Sequence, residues 1–299
     1  MLKVEHVTKY YGDYRAVNDI SFEIKEGEIF GLLGVNGAGK TTTFRMIMGL
    51  LDKNSGEITL DGKKIDYSVT DKIGFLTEER SLLPSKTVLE QAIYYGVLKG
   101  LTPNEVEKRL DEYLKEFNIE EYKNKKIKEL SKGNQQKIQF IISVLHKPRL
   151  LILDEPFSGL DPINVEMFKK VILRLKKEKT IIIFSSHMME HIEYFCDSLI
   201  ILVKGNIVLG GKLAEIKENY RKKNIKVIAD LDPKEIEKVK GVISVTKNKD
   251  EYTIKIEDNS YVHNVFKSLS KCDKVTKFVV EEPTLNEIFI DKVGASYEE

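Results

Sequence analysis

The chain has 299 residues, of which 41% are hydrophobic and 32% are charged, and its formal net charge at pH 7 is +1. This length and composition predict one large folded domain and a smaller one, and the charge balance gives no electrostatic argument for a nucleic-acid partner. Neither Cys196 nor Cys272 has the spacing of a metal site. Apolar runs fall short of the roughly 20 residues that cross a bilayer, and the first residues lack the apolar stretch of a signal peptide, so we expect a soluble, cytoplasmic chain.

The first elements are strands followed by a loop and a helix. Residues 2–7, 21–24 and 56–60 alternate apolar and polar side chains, which predicts half-exposed strands. Residues 28–33 form an apolar run typical of a buried strand, and helical spacing follows at Phe44, Ile47, Met48 and Leu51. Between them, residues 34–41 (GVNGAGKT) match the phosphate-binding loop pattern G-x-x-x-x-G-K-[ST].

This loop has the chemistry of a phosphate site. Glycines without a Cβ let backbone N–H groups close around phosphate oxygens, and the start of a helix adds partial positive charge. Lys40 can reach the β- and γ-phosphates, and Thr41 can offer its hydroxyl to Mg²⁺. A chance match in a glycine turn is the alternative, but the strand before the loop and the helix after it argue against that.

The middle of the chain adds helices and a second motif. Residues 88–144 have a helical pattern, and residues 150–155 (LLILDE) are an apolar run that ends in two carboxylates. Such a run is typical of a central parallel strand, whose carboxyl end lies at the ligand edge of the sheet. Asp154 would hold Mg²⁺, and Glu155 could accept a proton from an attacking water. A strand that leaves the core would explain either carboxylate alone, but not a phosphate loop in the same chain.

The last third predicts a separate small domain. A second buried strand at 180–184 and a hairpin at 199–209 precede a polar, basic run at 218–224, which we interpret as a linker. Beyond it, strands at 225–229, 242–246, 252–256 and 275–280 alternate with helices near 233–239 and 261–269, and a capping box opens a last helix at Thr284. This order predicts an α+β domain of the ferredoxin-like kind. The expected domains are residues 1–217, with a helical part at about 88–144, and residues 224–299.

Three further motifs indicate the class of the protein. They are LSKGNQQ at 130–136, SGLD at 158–161 and His187 after the second buried strand. With the phosphate loop and Asp154-Glu155, they resemble the ATP-binding subunit of an ATP-binding-cassette (ABC) transporter, in that family's motif order over about residues 2–215. The resemblance implies an α/β P-loop NTPase core with an antiparallel β subdomain and a helical subdomain. It also implies ATP and Mg²⁺ as ligands, and ATP hydrolysis coupled to transport.

The resemblance assigns roles to single residues. Tyr11 matches the aromatic residue that stacks on adenine, with Tyr10 as its rival. Glu155 matches the general base, and His187 matches the switch histidine near the γ-phosphate. Asp154 supports Mg²⁺ together with Thr41. The positions that match the phosphate lining are Gly34, Asn36, Gly37, Ala38, Gly39, Lys40, Thr41 and Thr42, of which Lys40 is also assigned to catalysis.

The resemblance also implies partners. Ser131 and Gly133 match the signature that contacts the γ-phosphate bound to a second subunit, and Asp161 matches the loop that links two active sites. In this family two such subunits close face to face over two ATP, so a homodimer or heterodimer is implied. Separate transmembrane permease subunits are implied as well, which would place this chain on the inner face of the cell membrane.

Two departures refine the assignment. Lys132 and Asn134 replace a glycine and the glutamine of the usual signature LSGGQ. In the loop GFLTEER at 74–80, Glu78 aligns with a family glutamine that reaches Mg²⁺ and the attacking water, with Thr77 and Glu79 as alternatives. The stretch EER and the ending EPTLNEIF at 282–289 are similar to exporter-type (ABC-2) cassettes that carry an extra C-terminal domain.

Two other classes compete with the transporter hypothesis. Soluble ABC proteins that act on ribosomes usually carry two cassettes, and those that act on DNA carry a long coiled coil. This chain has one cassette and no heptad run, so we expect no nucleic-acid partner. A P-loop kinase would leave residues 130–136, 158–161 and His187 unexplained.

Overall fold

The computed structural model describes residues 1–79, 81–270, 272 and 274–298, with the backbone alone at 67–68 and 295–298. These residues fold into two compact units, one from Met1 to Gly210 and one from Gly211 onward. Each unit has its own cluster of buried apolar side chains. Among the described helices, none combines the length and the apolar character that a bilayer crossing needs.

The first unit contains ten of the described strands and six of the described helices. The strands are β1 (Leu2–Tyr11), β2 (Tyr14–Ile24), β3 (Ile29–Gly34), β4 (Ser55–Leu60), β5 (Lys63–Lys64), β6 (Ile73–Leu76), β7 (Leu150–Asp154), β8 (Ile181–Ser185), β9 (Ser198–Val203) and β10 (Asn206–Lys212), which ends just past the boundary. The helices are α1 (Lys40–Ile47), α2 (Val88–Leu98), α3 (Pro103–Glu116), α4 (Lys132–Val144), α5 (Pro162–Lys177) and α6 (Met189–Phe195).

Two sheets organise this unit. The central sheet has the order β10-β9-β3-β8-β7-β6, with parallel pairing from β9 through β6. The first four residues of β7 and all of β8 are buried, as a strand covered on both faces requires. The second sheet, β2-β1-β4-β5, is antiparallel throughout. Both the predicted α/β core and the predicted antiparallel subdomain are confirmed.

The helical stretch is divided where the sequence contains helix-ending residues. Gly100 adopts a positive φ of 84° after α2, and Pro103 occupies the first turn of α3. Capping boxes open both helices, one built by Thr87 and Glu90 and one by Thr102 and Glu105. Two single 3₁₀ turns, Glu120–Tyr122 and Ile127–Glu129, then lead to α4.

The second unit is a ferredoxin-like domain with a helix at each end. Its elements are α7 (Leu213–Asn219), β11 (Lys223–Ala229), α8 (Pro233–Glu237), β12 (Val242–Asn248), β13 (Glu251–Ile256), α9 (Val262–Leu269), β14 (Val275–Glu281) and α10 (Leu285–Glu298). From β11 to β14 the order is βαββαβ, and the antiparallel sheet is arranged β12-β13-β11-β14. The predicted fold class of this part is confirmed.

The segment interpreted as a linker has secondary structure of its own. Residues 218–219 end α7, and β11 begins at Lys223, so only residues 220–222 connect them. Within this unit Tyr220 and Lys222 both contact the carboxylate of Asp291 in α10. At the start of α10 the predicted capping box is present, since the Glu287 amide donates to Thr284 Oγ1 at 3.2 Å.

Candidate active site

A cleft of about 350 Å³ lies at the carboxyl edge of the central sheet. Five parts of the chain line it: the β1–β2 hairpin, the loop after β3 with the start of α1, and the segments after β6, β7 and β8. The lining residues are Tyr11, Tyr14, Ala16, Val35, Asn36, Gly37, Ala38, Gly39, Lys40, Thr41, Thr42, Glu78, Asp154, Glu155 and His187. The predicted site residues outside it are Gly34, Ser131, Gly133 and Asp161.

The phosphate loop has the conformation that its glycines were predicted to allow. Gly39 has a φ of 105° at the N-cap of α1, where a Cβ would lie 2.6 Å from the Ala16 carbonyl oxygen. The amide of Thr43 donates to the Gly39 carbonyl at 2.9 Å. The backbone amides that precede Thr43 in the first turn of α1 have no acceptor within the helix. They are therefore available to an anion in the cleft, as an anion site at a helix N-terminus requires.

Gly34 has a different reason to be glycine. Its φ is 153°, and a Cβ there would lie 2.5 Å from the Leu202 carbonyl oxygen and 2.8 Å from the Ala38 side chain. It ends β3 behind the loop and does not line the cleft. The sequence motif alone could not separate a glycine that packs against β9 from one that faces the ligand.

Lys40 extends along the phosphate loop toward a group of carboxylates. Its Nζ donates to the Gly34 carbonyl at 2.5 Å and to the Val35 carbonyl at 3.3 Å. Burial lowers the pKa of the Lys40 ammonium, and the charges of Asp154, Glu155 and Glu78 oppose that shift. A phosphate entering the loop would give this cation an anionic partner in place of neutral carbonyls.

The end of β7 presents the two predicted carboxylates to the cleft. Ser185 Oγ donates to Asp154 Oδ1 at 2.5 Å. Glu155 has a positive φ of 49°, and its amide donates to the Ser185 carbonyl at 3.2 Å. The Glu155 side chain is only 14% exposed, with Ser186 Oγ at 3.4 Å and His187 Nε2 at 3.6 Å. Ser185 and Ser186 were not predicted, although both follow from parallel pairing of β7 with β8.

The environment of Glu155 suits a proton acceptor. Burial raises the pKa of the Glu155 carboxyl, and His187 opposes this rise through its charge and its backbone N–H. The negative charges of Asp154 and Glu78 raise the pKa of Glu155 further. A carboxylate whose pKa is moved toward neutrality is a stronger base than an exposed one.

The oxygen donors in the cleft fit a magnesium ion that arrives with a nucleotide. Among the described residues, no three His, Cys, Asp or Glu side chains are placed to hold a metal by themselves. Mg²⁺ usually binds one or two carboxylates together with substrate phosphates and water. The hydroxyl of Thr41 and the carboxylates of Asp154 and Glu78, which all line the cleft, match that demand.

At the other end of the cleft the structure separates the two candidate tyrosines. Tyr11 lines the cleft and is 46% exposed, whereas Tyr10 is not among the lining residues. Tyr14, which the sequence analysis missed, also lines the cleft and pairs with Tyr11 across the β1–β2 hairpin. The tight turn at Gly12-Asp13 is the signal that could have placed Tyr14 opposite Tyr11.

Glu78 lies between the cleft and helix α4. Glu78 lines both the cleft and an adjoining cavity of about 480 Å³, whereas Thr77 and Glu79 line that cavity but not the cleft. The buried side chain of Gln139 in α4 fixes both neighbours: its Nε2 donates to Thr77 Oγ1 at 2.9 Å and to the Thr77 and Glu79 carbonyls at 3.2 Å each. Arg80, the last residue of the EER stretch, lies outside the described residues.

The remaining predicted site residues form an exposed surface away from this cleft. Ser131 is the N-cap of α4 and accepts from the Asn134 amide at 3.3 Å. Asp161 is the N-cap of α5 and accepts from the Asn164 amide at 2.9 Å. The two caps are neighbours in space, because a Cβ on Gly133 would lie 3.7 Å from Leu160 Cδ2.

Comparisons with known proteins agree with this arrangement. The ABC transporter family model matches residues 17–158, and the model of the DrrA1-3-like ATP-binding protein C-terminal domain matches residues 211–293. The chain is 49% identical over 298 residues, 100% of both chains, to the uncharacterized ABC transporter ATP-binding protein YhaQ of Bacillus subtilis (strain 168). It is 37% identical over 219 residues to the linearmycin resistance ATP-binding protein LnrL of the same organism, covering 72% of this chain and 70% of LnrL.

A solved structure extends the agreement to three dimensions. The dimeric structure of MJ0796, a bacterial ABC transporter cassette, matches with a TM-score of 0.65 and 28% identity, covering 71% of this chain and 99% of that one. The relative that is 49% identical over 100% of both chains shows the family. In this structure the motifs of that family meet in one cleft. The chain belongs to the ABC transporter ATP-binding proteins, a family of ATP-binding ATPases.

Proposed function

We propose that this chain is the ATP-hydrolysing subunit of an ABC exporter and that it drives separate membrane permease subunits. The observation that carries the proposal is the single cleft that unites Tyr11, the phosphate loop, Asp154, Glu155 and His187. Support for export comes from the DrrA1-3-like C-terminal domain and from the similarity to a protein named for linearmycin resistance.

The cleft residues divide the chemistry among them. Tyr11 stacks on the adenine, and the amides of the phosphate loop with Lys40 hold the phosphates. When bound, Mg²⁺ would neutralise charge on the β- and γ-phosphates, with Thr41, Asp154 and Glu78 as its oxygen ligands. Glu155 accepts a proton from the attacking water, and His187, 3.6 Å away, orients that carboxylate.

A second cassette completes the site. Ser131, Gly133 and Asp161 lie on a surface apart from the cleft of their own chain, so a partner's copies of them would face the bound γ-phosphate. Since Ser131 and Asp161 are exposed helix caps, they are free to meet a second copy or a close relative. The cassette corresponds to the first unit, and the second unit is an accessory domain.

The permease docks beside the Glu78 loop in this proposal. An apolar groove of about 240 Å³ lies between α2, α4 and β6, and Ile73, Phe75, Tyr95 and Ile142 are among its lining residues. Leu50, which also lines the groove, is 65% exposed and adds to its apolar surface. Binding at this groove would hold the chain at the inner face of the membrane.

Co-purification tests the proposal. The tagged chain, recovered from gently solubilised membranes, should bring down a polytopic membrane protein and show ATPase activity that depends on Glu155. Recovery only with ribosomes would overturn the exporter assignment and support a soluble ABC ATPase instead.

A further inference from the structure

One edge of the sheet in the second unit is open. Strand β14 comes last in the order β12-β13-β11-β14, so within the described residues only its β11 side is paired. Alternate N–H and C=O groups of β14 therefore point outward without a strand partner. Such an edge is a template for a further strand, and natural sheets usually protect it with a bulge, a proline or lone charges.

This open edge is apolar in its middle. The regular part of β14 is residues 277–281 (KFVVE), beyond a shift in its pairing with β11. Val279 and Val280 stand on opposite faces of the strand, yet they are 39% and 40% exposed. Phe266 of α9, which meets the ring of Phe278 edge to face with 5.3 Å between centroids, is 54% exposed. Exposed apolar side chains therefore lie beside unpaired backbone groups, a combination that favours the addition of a strand.

The regular part of β14 is complementary to a second copy of itself. When two copies run antiparallel about a two-fold axis at Val279, Lys277 of each copy faces Glu281 of the other, and Phe278 faces Val280. Opposite charges and pairs of an aromatic with a β-branched residue are the cross-strand neighbours that stabilise antiparallel sheets. A slip by one residue would set the helix-covered face of one sheet level with the open face of the other, and the Lys277–Glu281 pairs would be lost.

The neighbouring strands extend this charge pattern. Within one copy Lys277 contacts Glu251 of β13, and Lys226 of β11 lies 2.8 Å from Glu281. The four side chains are between 29% and 40% exposed. An ammonium has three donors and a carboxylate has two acceptor oxygens, so Lys277 and Glu281 can each bond on both sides at once. In the paired arrangement, negative and positive side chains would alternate across the junction between the two sheets.

The opposite edge of the sheet lacks this complementarity. Residues 244–248 of β12 (SVTKN) are regularly paired with β13, beyond a shift near Val242. Antiparallel pairing of this stretch with itself about Thr246 would set Val245 against Lys247, so no opposite charges would meet and a lysine would face an apolar side chain. Of the two edges, β14 is therefore the one suited to a second copy.

We infer, resting on the proposed function, that β14 pairs with β14 of a second copy and joins the second units of two assembled chains into one eight-stranded sheet. Five residues a side fall short of the about 20–30 that a standard interface uses. The contact is therefore weak between free chains, and it forms when two ATP-bound cassettes hold their second units at a high effective concentration. It uses no residue of the cassette and adds a second junction to the pair.

A cysteine at the axis tests this pairing in the full chain. The background carries Glu155→Gln, so that ATP and Mg²⁺ assemble the chains, and Cys272→Ala, while Cys196 is buried. Opposite residues of antiparallel strands have Cα atoms about 4.5–5.5 Å apart, inside the range of disulfides. Val279→Cys should therefore form an oxidised dimer with ATP, and at least about tenfold more slowly with ADP. Val275→Cys, exposed on the same strand, should form none, because its two copies would lie about 27 Å apart.

An exchange of charges tests the register. Lys277→Glu and Glu281→Lys, each added to Val279→Cys, set like charges opposite one another at both ends of the pair and should slow disulfide formation at least about fivefold. In a mixture of the two variants, one of them tagged, opposite charges meet again, so the tagged–untagged dimer should form within about twofold of the rate of Val279→Cys alone. Mixing cannot repair a lost contact to Glu251 or Lys226 within one copy, so the rescue reports the contact between copies.

Three outcomes overturn the inference: no disulfide at position 279, equally fast disulfide formation at position 275, or a mixture of the two charge variants that is no faster than either alone. Size-exclusion chromatography of the reduced background chain separates these failures from a failure of the proposed function. If that chain still dimerises with ATP, two cassettes assemble without β14 and the proposed function stands. If it stays monomeric with ATP and Mg²⁺, the paired cassettes of the proposed function are contradicted, and the inference falls with them.

Discussion

Lys40 is the residue on which nucleotide binding depends most, because it is the cation that the phosphate loop itself carries into the cleft. In Lys40→Ala, the phosphates lose one charge-assisted donor, so ATP affinity should fall about 10- to 100-fold and turnover should fall with it. Binding of a fluorescent ATP analogue and phosphate release are the measurements. Lys63→Ala, which removes an exposed lysine of β5, should leave both unchanged. Wild-type turnover in Lys40→Ala would mean that the loop is not the site.

Glu78 should set the magnesium dependence of this ATPase. Its charge acts on both Lys40 and Glu155, so it stands close to the region of the γ-phosphate. Two anions there repel each other unless a metal lies between them. Glu78→Gln should therefore need less Mg²⁺ for half-maximal hydrolysis, with nucleotide affinity mostly intact, and Glu79→Gln should not. An unchanged Mg²⁺ titration would remove Glu78 from the site.

At the scale of elements, Arg149 joins the antiparallel sheet to the central sheet. It precedes β7, and its Nε donates to Asp61 at 2.7 Å, with further contacts to Glu26 and to the Lys179 carbonyl. Asp61, in the turn between β4 and β5, also pairs with the amino group of Met1. The hydrogen bond from Arg149 lowers the pKa of Asp61 from 3.8 to about 2.

This pair should stabilise the fold in a pH-dependent way. Because the folded pKa of Asp61 is depressed, its contribution is full above the unfolded value of 3.8 and is lost as the pH falls toward about 2. The side chain is 44% exposed, so solvent screening reduces the contribution to about 1 kcal/mol. Asp61→Asn should lower the melting temperature by about 2–4 °C at pH 7, and by less at pH 3. Asp111→Asn, a 52% exposed partner of Lys123, should have a smaller effect; equal shifts in both variants would contradict this role of Asp61.

Elements with a local signal were predictable, and those set by packing were not. The strand β7, the turn after it and the phosphate loop follow from short apolar runs, a proline and glycines in one stretch of chain. The helix α7 was not predicted, and its last two residues fall in the polar run 218–224 that was interpreted as a linker. Gly34 was assigned to the phosphate lining because it belongs to the motif. Its contact with β9 could not be predicted, because β9 lies far along the chain.

The same distinction explains the candidate site. Motif residues were found from spacing, yet Tyr14, Ser185, Ser186 and Gln139 enter the site through strand pairing or helix packing. No motif marks them. Gln139 is 62 residues from Thr77, and its role follows only when α4 is placed against the Glu78 loop.

For the whole molecule, the two separate apolar clusters predict two independently folding units. Every residue that lines the cleft precedes residue 188, and α7 packs with the second unit. A chain truncated after Lys212 should therefore remain folded and bind ATP within about threefold of the full chain. Circular dichroism and nucleotide titration check this. Loss of ATP binding on truncation would show that the first unit depends on the second.

The exposed caps at Ser131 and Asp161 predict that ATP joins two copies of the chain when hydrolysis is blocked. Glu155→Gln keeps the shape of the side chain but cannot accept a proton near neutral pH, so ATP should bind and persist. A dimer on size-exclusion chromatography with ATP and Mg²⁺, and a monomer with ADP, is the expected result.

Gly133→Asp in the same background provides the control. A Cβ at Gly133 meets only Leu160 at 3.7 Å, an ordinary contact, so the fold should tolerate the change. The added carboxylate would oppose the γ-phosphate of the partner's nucleotide, and the double variant should stay monomeric while still binding ATP. If Glu155→Gln is itself monomeric with ATP and Mg²⁺, or if Gly133→Asp dimerises equally well, the surface around Ser131 and Asp161 is not the one that closes over ATP.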